Sequence, residues 1–182
     1  MRHLRGINEN YKLEESIDTL NDISDVFNAL DDDWGLKVVA YFLEKESFPN
    51  LGYSRTKKWD GSGKLVLNTS DSISKIYSRV EDSFWLVRSE GVIDVDNILE
   101  IYNQCIDLIS RCERMLGLDN LATRSTIGFL GVDRFISTNP RWRSFFFGKI
   151  EGEHLELEKF IENLISWGNK KQKVDISIQF RK

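Results

Sequence analysis

The sequence predicts an α+β fold: a single domain in which an antiparallel or mixed sheet packs on helices, with a central helix over about 95–116 and an N-terminal helical pair. Two observations carry this. Between Asp94 and Leu118 apolar residues recur at helical spacing, from Val95, Ile98 and Ile101 through Tyr102, Cys105 and Ile109 to Cys112 and Leu116. They fill an arc of roughly 200°, wider than a surface stripe, so this helix must be covered on more than one side. Arg141 to Ile150 and Gln172 to Phe180 alternate with period two instead, the pattern of half-buried strands.

Composition bounds the rest. At 182 residues, 41% hydrophobic and 12% aromatic, the chain can bury a core without staples and is too apolar to be disordered. Its two cysteines, Cys105 and Cys112, lie seven apart on the apolar face of one helix. That places them ~10 Å apart, too far for a disulfide, so they read as small core residues of a reduced compartment. MRHLRGINENYK holds no apolar run of a secretory signal, and no stretch reaches membrane-spanning length. The expected setting is cytoplasmic, with no membrane association.

The net charge of −4 is unevenly placed. Glu9 to Asp33 carries nine acids against Lys12, whereas Arg124 to Lys149 and Asn169 to Lys182 each carry five bases against one acid. Such polarity either steers a charged partner or neutralises itself within the fold.

In chain order, residues 1–12 form a loosely held lead and 13–182 the domain, with 13–46 its candidate helical subdomain. The opening Met, bases, hydrophobe and Asn8–Glu9 pair resembles the start of many small reading frames of large tailed bacteriophages. The resemblance spans Met1 to Glu9 and implies a bacterial or phage accessory protein, with no functional residue attached. Leu13 to Leu30 reads as an amphipathic helix, with Leu13, Ile17, Leu20, Ile23, Val26, Phe27 and Leu30 inside and Glu14, Asp18, Asp22 and Asp25 outside. Asp31–Asp33 then suit the N-terminus of a second helix, Trp34 to Glu46, although KVVAYFL is β-prone and a buried strand is the alternative. Phe48 to Gly52 breaks the chain, and Tyr53 to Asn68 predicts a hairpin turning at Asp60–Gly61. Ser70 caps a short helix, Asp71 to Val80; Ser83 to Arg88 is a strand; and Glu90–Gly91 turns into the central helix. Asp94 or Asp96 can cap that helix, Asp107 and Arg111 are spaced for an ion pair, and Gly117 can end it. Thr126 to Ile136 has β character, Asn139–Pro140 is a turn, and Glu153 to Trp167 is the last helix, stopped by Gly168.

Little in this pattern is catalytic. GSGK near residue 61 lacks the first glycine and the Ser/Thr of a phosphate loop, and no nucleophile elbow, paired CxxC, HExxH or dinucleotide fingerprint occurs. No cofactor is expected. His154 and Glu158 share a helix face and, with Glu151 and a carboxylate such as Asp133 or Asp175, can be drawn as a Mg²⁺ or Mn²⁺ site. The same acids also suit a helix N-terminus for its dipole alone.

The predicted function is therefore a non-catalytic protein-interaction or inhibitor-type accessory protein. Its candidate faces are the acidic helix (Asp18, Asp22, Asp25) and the strand RWRSFFFGK (Arg141, Trp142, Arg143), in which Arg and aromatics make a protein hot spot. The alternative is a nucleic-acid-binding module using Arg141, Trp142 and Arg143 with Arg55, Lys57, Lys58 and Trp59 of the hairpin. A metal-dependent nuclease around Glu151 to Glu158 is the third reading. Solvated helix faces and a core-facing strand would give the same patterns.

Overall fold

A computed structural model describes residues 18–44, 55–59, 65–68, 83–130, 142–147 and 152–182, with backbone alone at 43–44, 55–59, 65–68 and 142. The lead over 1–12, the Asp60–Gly61 turn, the 71–80 helix, Asn139–Pro140, Arg141 and Glu151 lie outside these residues.

The N-terminal pair is helix α1 (18–27) and the short helix α2 (Ala29–Trp34), separated by a bend at Asn28. Leu20, Ile23, Val26, Phe27 and Leu30 are buried while Asp18, Asp22 and Asp25 are exposed, as the periodicity demands. The second helix expected over Trp34–Glu46 is not formed. Gly35 sits at φ 64, and its N–H donates to Asp31 O at 2.8 Å while Leu36 N–H donates to Leu30 O at 3.1 Å. The bond from Gly35 to Asp31 is the αL ending of a helix, and only glycine takes its left-handed step without cost. Released from helix, the branched and aromatic run Lys37–Glu44 becomes strand β1, the β-prone alternative. Asp31 and Asp32 accordingly occupy the first turn of α2, without a side-chain cap bond.

Strands β2 (Arg55–Trp59) and β3 (Leu65–Asn68) pair antiparallel as the predicted hairpin. Strand β4 is Phe84–Asp94. It overruns the turn expected at Glu90–Gly91: Gly91 is a mid-strand residue opposite Val174. A 3-10 turn, Val95–Asn97, leads into the central helix α3 (Ile98–Leu116), which ends at Gly117 with φ 62. Neither Asp94 nor Asn97 makes a side-chain cap bond; the entry is held instead by Val95 N–H donating to Lys170 O at 3.0 Å. Arg111 turns to Met115 Sδ at 3.4 Å, and among the described residues the Asp107–Arg111 pair is not made.

Then come β5 (Asp119–Asn120), β6 (Thr126–Leu130), β7 (Trp142–Phe146), helix α4 (Glu153–Ser166) and β8 (Lys171–Arg181). The strands form one eight-stranded sheet, ordered β3-β2-β1-β4-β8-β6-β7 with β5 beside β8, and every pairing is antiparallel. The last strand is therefore central. Val174, Ile176, Ile178 and Phe180 of β8 share a face with Trp85, Val87, Ile127, Phe129 and Phe145, and this face joins the buried residues of α1, α3 and α4 in one core. Phe129 and Phe160 meet at 5.0 Å and Phe27 and Phe180 at 6.2 Å between ring centroids. Tyr102, buried beside Phe147, donates to Phe146 O at 2.8 Å. On the other face Tyr41, Phe84 and Leu86 make a second buried cluster. No described helix is long and apolar enough to cross a membrane.

Candidate functional site

The left-handed ending of α2 at Gly35 fixes where Asp33 and Trp34 stand at the end of the helix, and there they meet α3. Trp34 is half-buried, packed on the core. Its indole N–H donates to Gln104 Oε1, and Gln104 Nε2 donates to Asp33 Oδ2 at 2.6 Å. Both ends of the Gln104 amide are thereby used, so its orientation is set by its two partners. Beside this relay runs an open groove of about 570 Å³ lined by Asp33, Trp34, Glu100, Asn103, Gln104 and Asp107. Among the described residues three carboxylates and no basic side chain line it. Glu100, Asn103 and Asp107 are exposed and lie on successive turns of one α3 face. The arrangement offers several acceptors for ammonium or guanidinium groups and a half-buried indole for the apolar stem behind them.

The residues singled out from sequence fall in several places. Asp18, Asp22 and Asp25 line the outside of α1, and among the described residues none of them is in an ion pair or lines the groove. On β7, Arg143 is half-exposed, its guanidinium 5.3 Å from the ring centroids of both Phe145 and Phe160 and 3.7 Å from Glu156 Oε2. Phe145 on the same strand and Phe147 just beyond its end are buried. Trp142 pairs with Leu130 through the backbone at the end of β7. Arg55, Lys57, Lys58 and Trp59 belong to β2, between β1 and β3.

His154 Nδ1 lies 3.4 Å from Glu158 Oε1 on α4, both half-exposed. Asp175 does not join them. It alternates with core-facing Val174 and Ile176, points to the other side of the sheet, and binds Arg88 at 2.6 Å. Among the described residues no three His, Cys, Asp or Glu side chains gather as a metal-ion site. Cys105 and Cys112 are free, buried thiols; burial pushes Cys112 up to about 12 and Cys105 further in the same direction, so neither is a nucleophile near neutrality.

Sequence reasoning missed the groove because its two walls are some seventy positions apart, Asp33 bonding to Gln104. Gly35 was the usable signal: read as a helix stop, it places Asp33 and Trp34 at a helix end. Compared with known proteins, the chain matches no family model, and no curated protein or solved structure is significantly similar to it.

Proposed function

We propose that this chain is a non-catalytic interaction protein that receives a basic segment of a partner protein along the acidic groove between α2 and α3. The observation that carries the reading is the groove's lining among the described residues: three carboxylates, two amides and an indole, with no base among them. The exposed acids of α1 and α2 extend the negative field from which such a segment would be steered. The cytoplasm is the compartment that suits two buried, unpaired cysteines.

The test is calorimetric titration with a short Lys/Arg-rich peptide at low ionic strength and at ~0.15 M salt. Each exposed carboxylate is worth ~0.2–1 kcal/mol to a cationic partner. Glu100→Gln with Asp107→Asn is therefore expected to weaken binding about two- to thirtyfold. Absence of heat at low salt, or equal affinity in wild type and variant, overturns the proposal. For the nucleic-acid reading, the phenyl rings of Phe145 and Phe147, which follow Arg143 in sequence, are buried and cannot stack on bases, which leaves stacking to Trp142 and Trp59. A salt-dependent mobility shift, lost on Arg143→Ala, would favour it over the acidic groove.

A further inference from the structure

We draw no further inference here: the strongest candidate, the exposed apolar patch of Leu155 and Ile165 on helix α4, is an unpartnered face, and nothing in the structure shows what covers it.

Discussion

Replacing Gly91 by alanine tests how the N-terminal helices are seated on the sheet. A Cβ at Gly91 would lie 2.7 Å from Leu36 Cδ2, the side chain that follows the α2 ending. Comfortable carbon contacts are ~3.5–4.0 Å, so the methyl group is about an ångström too close. Leu36 is fully buried, so any rotation of its side chain away from the methyl group has to be accommodated by packed neighbours. Overpacking of this kind costs ~1–3 kcal/mol. Alanine regains ~0.4–1 kcal/mol by restricting the unfolded chain, leaving a net loss of up to ~2.6 kcal/mol. Leu36→Ala alone is expected to cost ~2–5 kcal/mol through its cavity. The double variant removes the clash, so it should be more stable than the sum of the two single losses by roughly the clash itself, ~1–3 kcal/mol. Urea unfolding followed by circular dichroism and tryptophan fluorescence measures all four proteins, with unchanged m-values as the check that the unfolded state is common. A stabilised Gly91→Ala, or additivity within ~0.5 kcal/mol, would refute the close approach.

Tyr102→Phe leaves the Phe146 carbonyl without its buried donor and should cost ~1–3 kcal/mol in the same assay; a loss under ~0.5 kcal/mol would mean that the bond contributes nothing net. Gly35→Ala meets no atom within 4 Å, so its cost is purely the left-handed backbone, ~1–2 kcal/mol, and Gly35→Asn should cost less; equal losses would place the cause elsewhere. Burial raises the folded Cys105 and Cys112 thiols, Cys112 to about 12, whereas unfolded thiols ionise near ~8.5. Above that pH the unfolded chain sheds protons that the folded one keeps, so stability is full below ~8.5 and falls as pH rises, by up to ~1.4 kcal/mol per pH unit per thiol. Between pH ~8.5 and ~10, before tyrosines contribute, Cys105→Ala/Cys112→Ala should flatten this slope, and identical slopes would contradict it.

What the sequence made legible follows from how local each signal is. The apolar arc of α3 predicted its buried residues, from Ile98 to Cys112, because helical period and core contact are read from one uninterrupted segment. The alternation of Gln172 to Phe180 likewise predicted a strand with one buried face, but its central place in the sheet depends on pairing with β4 and β6, which no local pattern records. The two misassigned elements both concern glycine. Gly35 ended a helix that periodicity wished to continue, and Gly91, read as a turn, is a strand residue whose missing side chain makes room for Leu36. A glycine permits a helix stop, a turn or a close approach alike; only the neighbour that arrives from elsewhere decides which. The candidate site follows from the same pair of decisions. Because Gly35 stops α2 and Gly91 admits Leu36, Asp33 and Trp34 are delivered to Gln104, and an acidic stripe that is ordinary on α3 alone becomes one wall of a groove. If the Gly35 variants lose stability as expected and also weaken binding of the basic peptide, the helix ending sets the groove's shape; stability lost with binding intact would show that α3 alone supplies the recognition.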